Sequence, residues 1–283
     1  MKLALIQCSA IDDRSANVTQ GLKSLEEAVR AGADLVVYPE LAFTPFYPQH
    51  RKQCYAECEG NDLPPLSLAE EIPGPTTELF CEAAKRLGVV VVLNLYARKG
   101  DAAFDASPVI DADGTLLGVT KMMHITQYEG FHEQDYYTTA GTQAPVYDTA
   151  AGRIGVAICY DRHYSEYLRA LALQKADLVV VPQAGVLNEW PEGLFEAELR
   201  VGAFQNGYYM ALANRTGDED VLTFGGGSFI VDPEGTVVAR APESEPFILY
   251  ADLDLQCCTE SHARKLFLRD RRPEVYSGGA VRI

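Results

Sequence analysis

The stretch Ala33-Asp34-Leu35-Val36-Val37-Tyr38-Pro39-Glu40 nearly recurs as Ala176-Asp177-Leu178-Val179-Val180-Val181-Pro182-Gln183. In each copy a helical stretch runs into a short apolar run that a proline ends. Such runs read as buried strands. Two strand-and-helix units of one design constrain the chain to an α/β architecture with a pseudo-symmetric core. The copies part at their last residue, Glu40 against Gln183. A carboxylate just past a strand end, where its twin carries a neutral amide, is a candidate working group. An exposed turn charge is the plainer alternative.

The rest of the chain keeps this alternation. Strands are expected at about 2–8, 34–38, 89–96, 153–159, 177–181, 208–213 and 247–252, and helices at about 16–31, 75–87, 164–174, 193–206 and 255–267. Turns at Asp113-Gly114 and Asp232-Pro233-Glu234-Gly235 predict two hairpins. Long irregular segments, 42–73 and 122–145, directly follow Glu40 and Lys121. Segments of that length in a compact chain are often functional. No linker or low-complexity stretch divides the chain, so residues 1–283 read as one domain. Its tail from about 255 mixes Arg and Leu, as an intersubunit arm or a solvated terminal helix would.

A net charge of −16 argues against nucleic-acid or anionic-membrane partners, which need clustered Lys and Arg. The longest apolar run, Val89–Leu93, is far below membrane-spanning length. Met1–Cys8 reads as a first strand and not as a signal peptide. Seven cysteines at irregular spacings suggest thiols in a reducing cytoplasm, not a disulfide framework. Cys54 and Cys58 have no second pair at zinc spacing. The expectation is a protein without metal or cofactor.

The run Arg153–Cys159 reads as a buried strand, and Tyr160-Asp161-Arg162-His163 as a turn into a helix. Open α/β sheets place ligands at the carboxyl ends of their strands. A thiol there, near a helix start and cations, can ionise easily and act as a nucleophile. A buried structural cysteine is the alternative. Lys121 ends the strand Thr115–Lys121, though most lysines simply face solvent. Glu40, Lys121 and Cys159 are each the first strongly polar group after a predicted strand. If those strands lie side by side, the three meet at one sheet edge.

Pro39-Glu40, Gly118–Lys121 and Gly155–Asp161, in this order, resemble the nitrilase, or carbon–nitrogen hydrolase, superfamily. The resemblance extends over nearly the whole chain, including Pro73-Gly74-Pro75 and the hairpin at 232–235. It implies a four-layer αββα sandwich, a homo-oligomer, and a Glu-Lys-Cys triad carried by Glu40, Lys121 and Cys159. It also implies a second glutamate between lysine and cysteine. Glu129 and Glu133 both lie there, and His132-Glu133-Gln134-Asp135-Tyr136-Tyr137 matches the family pattern better. Ala140-Gly141-Thr142 departs from the usual Pro-Gly-Asp.

In the chemistry so implied, Glu40 takes the thiol proton, Cys159 attacks a carbonyl, and Lys121 with the Tyr160 N–H stabilises the oxyanion. Pro39–Phe46, Cys159-Tyr160-Asp161 and Ala203–Gly207 resemble the N-carbamoyl-amino-acid amidohydrolases. That implies a small ureido or amide substrate whose carboxylate pairs with Arg162, helped by His163. Against it, Glu189 and Trp190 lie past the Gln183 strand, where an acidic rim would suit a substrate amine. N-carbamoylputrescine amidase, ω-amidase or aliphatic amidase, nitrilase, acyltransferase and an inactive binding protein remain alternatives.

Overall fold

The computed structural model describes residues 1–57, 65–139, 141 and 143–277. Cys58, Ala140 and Thr142 lie outside them.

One sheet runs in the spatial order 247–252, 2–7, 35–37, 90–92, 102–110, 95–99, 70–71, with 116–121 also paired to 102–110. The second runs 237–240, 229–231, 209–214, 178–183, 152–156, 146–149. The two repeated strands, Leu35–Val37 and Leu178–Gln183, lie inside different sheets, each between parallel neighbours. The expected pseudo-symmetry is therefore a relation between sheets.

Strand alternation divides the apolar residues between layers. Leu3, Leu5, Leu35 and Val37 of one sheet share a buried cluster with Ile154, Val156, Leu178 and Val180 of the other. Their sequence neighbours Ala4, Ile6 and Val36 turn the opposite way, onto helices Arg14–Arg30 and Pro75–Leu87 through Val18, Leu25, Phe80 and Ala84. Val179 and Val181 likewise meet Leu168, Leu171, Leu199 and Ala203 of helices Ser165–Leu173 and Leu194–Asn206. The layer order is helix, sheet, sheet, helix. Each such side chain contributes about 1.5–3 kcal/mol on burial. Helix Arg14–Arg30 starts where the Asp13 carboxylate accepts the Ala16 N–H at 3.0 Å.

Several elements depart from expectation. The strand foreseen at 89–96 breaks into Val90–Val92 and Leu95–Lys99. At the break, the buried Asn94 amide donates to Asp105 at 2.5 Å and Ser107 at 3.1 Å, and accepts the Leu41 N–H at 2.7 Å. The strand foreseen at 153–159 ends at Val156, leaving Cys159 on a 3₁₀ turn, Cys159–His163. The helix foreseen at 255–267 is split into Gln256–Glu260 and a π turn, Ala263–Phe267. No helix among the described residues is long and apolar enough to cross a membrane.

Candidate active site

Two strand-end turns bring the site together. After Leu35–Val37 the chain passes Tyr38 and Pro39 to Glu40, and Leu41 takes φ +45°. Cys159 takes φ +41° at the other turn. Left-handed backbone at a non-glycine residue costs about 1–3 kcal/mol and persists only where the surroundings impose it. Arg215 imposes it at the first turn. Buried and charge-paired with Glu219, it donates to the carbonyls of Glu40 (3.0 Å), Leu41 and Thr44 (3.2 Å). At the second turn Arg162 donates to the Cys159 carbonyl at 3.0 Å and to Gln183 at 2.8 Å, while the Gln183 amide donates to the Cys159 sulfur at 3.2 Å. Gln183, the neutral twin of Glu40, thus holds the thiol in place. Buried Asp161 accepts the N–H groups of Met123, His124 and Ile158, and the His124 ring at 2.7 Å. It ties the segment after Lys121 to the cysteine turn.

Three carboxyls cluster here. Glu40 is wholly buried, and neither oxygen is met by an N–H donor; its neighbours are the Cys159 thiol and the Asp105 carboxyl. Asp105 receives Asn94 on one oxygen and lies against the Glu40 carboxyl. Glu133 accepts the Thr126 N–H at 3.2 Å and leaves its second oxygen unpartnered. Burial, then the charges of Asp105 and Glu133, hold the Glu40 carboxyl well above the usual range. Burial raises Asp105 to about 7. Glu133 is raised by burial, with Asp105, Asp161 and Glu189 adding to it. Glu129 is exposed.

Lys121 is not among them, which corrects the expected meeting of Glu40, Lys121 and Cys159. Its Nζ lies 3.3 Å from the centre of the Phe104 ring, and it lines a surface groove with Gln143, Pro145 and Tyr147. The cause is strand alternation. Lys121 pairs with Ala106, so it shares the outer face with Phe104 and Ala106. The next residue, Met122, gives its N–H to the Asp105 carbonyl at 2.9 Å and turns to the Asp105 face. Met122 is buried in the same apolar cluster as Cys159 and Tyr137. Counting polar residues at strand ends misses this; the two-residue period carried the signal.

The thiol also differs from expectation. Burial first, then the Glu40 charge, pushes Cys159 well above its ordinary range, and the Arg162 charge only partly opposes them. Burial, with the Glu40 charge adding to it, therefore favours the neutral thiol over the thiolate.

Arg162 and His163 both meet Glu198, Arg162 at 3.5 Å and His163 at 2.6 Å. Arg162 also stacks 4.5 Å from the Phe195 ring. It braces the turn from within, and its ion pair is with Glu198. Its Nη2 has no hydrogen bond. Glu189 accepts the Tyr128 hydroxyl at 2.5 Å and the Val186 N–H at 3.3 Å. Trp190 packs edge-on to Tyr128 and His163, and Tyr160 meets His163 and Tyr164. The charges of Cys159 and Glu133 both bear on Tyr128. Tyr128 therefore lies within electrostatic reach of the thiol, with Glu189 hydrogen-bonded to it and Trp190 packed against its ring. Arg215, Asp105, Met122 and Tyr128 are the members that sequence reasoning missed.

Among the described residues, no group of three or more His, Cys, Asp or Glu side chains is arranged to hold a metal ion. Residues 2–263 match the carbon–nitrogen hydrolase family model. The chain is 31% identical to N-carbamoylputrescine amidase of Solanum lycopersicum, over 97% of this chain and 93% of that one. It is 28% identical to citrullinase of Francisella tularensis, over 98% and 96%. A crystal structure of a carbon–nitrogen hydrolase from Helicobacter pylori superposes with a TM-score of 0.87 at 27% identity, covering 98% of this chain and 97% of that one.

Proposed function

Since the chain belongs to the carbon–nitrogen hydrolase family, we propose that it hydrolyses a C–N bond of a small carbamoyl or amide compound through a thioester on Cys159. The observation that carries this reading is a thiol held by Gln183 in a left-handed turn, with the buried Glu40 carboxyl beside it. In this mechanism Glu40 takes the thiol proton as sulfur bonds to the substrate carbon. It returns the proton to the leaving nitrogen and then activates water on the thioester. A carboxyl raised by burial is matched to such work near neutral pH. Glu133 lies within electrostatic reach of Glu40 and Cys159 and orients the substrate's N–H groups.

The geometry favours a substrate ending in an amine over one ending in a carboxylate. Arg162 spends Nη1 on Cys159 and Gln183 and is ion-paired with Glu198, whereas Glu189 places an acid at the border of the site. N-carbamoylputrescine amidase is the named activity of one relative. The N-carbamoyl amino acid reading retains one supporting observation, the unbonded Nη2 of Arg162. The same proposal takes residues 1–283 as one cytoplasmic domain that associates with copies of itself through the tail from about 255.

Ammonia release over ureido amines, ureido acids and simple amides tests the reading. Turnover that is lost in Cys159→Ala supports it, and turnover that survives sinks it. Ureido acids outpacing ureido amines would restore the carboxylate reading.

A further inference from the structure

We propose that the reacting group this site is built for is itself a cation, an amidinium or guanidinium carbon, in place of a neutral amide or urea. The inference rests on Cys159 being the nucleophile of a C–N hydrolase. Four buried carboxyl oxygens around the thiol, both of Glu40, one of Asp105 and one of Glu133, are met by no N–H donor, and Glu40 has only the Cys159 thiol and the Asp105 carboxyl beside it. The positive charge of Arg162, which bears on Cys159, braces the turn through Nη1 and is ion-paired with Glu198, leaving Nη2 unbonded. On the Asp105 face the strand supplies Met122, and its ammonium faces away on Lys121. Unpartnered buried carboxyls are costly unless a ligand completes them. A planar amidinium offers N–H donors in a fork that suits them.

The chemistry agrees with this inventory. Attack on a neutral carbonyl drives negative charge onto oxygen, which a site stabilises with a fixed cation or N–H donors. Attack on a guanidinium instead cancels a positive charge. The S–C bond forms while the C=N π pair moves onto nitrogen, and the thiol proton passes to Glu40. The tetrahedral carbon then carries neutral amino groups, and an apolar Met122 nearby costs nothing. Glu40 returns its proton to one amino group, the C–N bond breaks and ammonia leaves, giving an S-linked isothiouronium cation. Water adds as its proton passes to Glu40. The C–S bond then breaks, sulfur regains a proton, and a urea is released. The net reaction is guanidinium plus water to urea plus ammonium, with no redox change and no co-reactant besides water.

Two measurements on the intact protein test this. The first compares ammonia release from matched pairs, 4-aminobutylguanidine against 4-aminobutylurea and propionamidine against propionamide. The second compares labelling of Cys159 by 2-chloroacetamidine and 2-chloroacetamide, read by mass spectrometry and normalised to a free thiol. Cationic members should lead by about tenfold or more, the worth of one charge-assisted contact. Met122→Lys should reverse the preference, because its ammonium fills the place of the substrate's charge. Equal or faster reaction of the neutral members in the wild type overturns the inference but leaves the hydrolase reading standing. Absence of turnover on all four, with Cys159 labelled no faster than the free thiol by either reagent, overturns both.

Discussion

Leu41 and Cys159 hold φ of +45° and +41° at turns that close strands of different sheets, and a buried arginine spans each turn. The two braces differ in what their charge faces. Arg215 gives its terminal nitrogens to three carbonyls and to Glu219, so its charge is settled behind the Glu40 turn. Arg162 holds one carbonyl and one amide, keeps Nη2 unbonded, and its charge reaches the Cys159 sulfur. The Glu40 side of the site is thus all carboxyl, while the cysteine side has a cation. One architecture, used twice, presents a carboxyl from one sheet and a thiol from the other, the base and nucleophile of the proposed reaction.

Replacing Cys159 by Ala should cost turnover on the order of 10⁴-fold or more, as loss of a covalent nucleophile does, with little change in thermal midpoint. Retained turnover in a folded variant would dissolve the distinction between the turns. Arg215→Met should cost about 3–5 kcal/mol of stability, because it strands Glu219 and three carbonyls around a buried pair. Arg162→Met should cost less stability, since Glu198 keeps His163 as partner, but should slow Cys159 labelling. Urea titrations with labelling rates separate the two effects, and equal stability losses would contradict the comparison. Glu133→Gln should lower kcat/KM far more than Glu129→Gln, since only Glu133 is buried beside Glu40.

The carboxyl side also predicts a pH dependence. Glu40, Asp105 and Glu133 are raised in the folded state, so the native protein keeps protons that the unfolded chain has lost. Their contribution to stability is full below about pH 4, the ordinary carboxylate value, and falls as pH rises. For Asp105 it is lost through about pH 7. Thermal melting across that window should show the decline, and Asp105→Asn should flatten it. A slope that steepens in Asp105→Asn would contradict the assignment.

The layered fold was legible because the repeated strands and helix stretches carry strong local patterns. Their side-chain alternation then sorts Val37 to the inter-sheet core and Val36 to the helices. Glu40 and Cys159 were legible for a related reason, since each closes a conspicuous apolar run. Asn94 broke a predicted strand because a buried amide linking Leu41, Asp105 and Ser107 outweighs the apolar run around it. Arg215 was hidden, since the carbonyls it braces lie about 170 residues away in sequence. Lys121 was misplaced because strand-end position was read without the face it implies. The resemblance reinforced that reading, although Met122 holds the inward position.

The smallest expected effect is the most direct test. In Lys121→Ala, kcat/KM and the rate of Cys159 labelling should stay within about twofold of wild type, since removing an exposed-face charge 3.3 Å from Phe104 leaves the Glu40, Asp105 and Glu133 cluster untouched. A loss of about 100-fold or more, in a variant that melts as the wild type does, would mean that Lys121 reaches the reacting atoms and that the site is not the carboxyl-rich, lysine-free centre described.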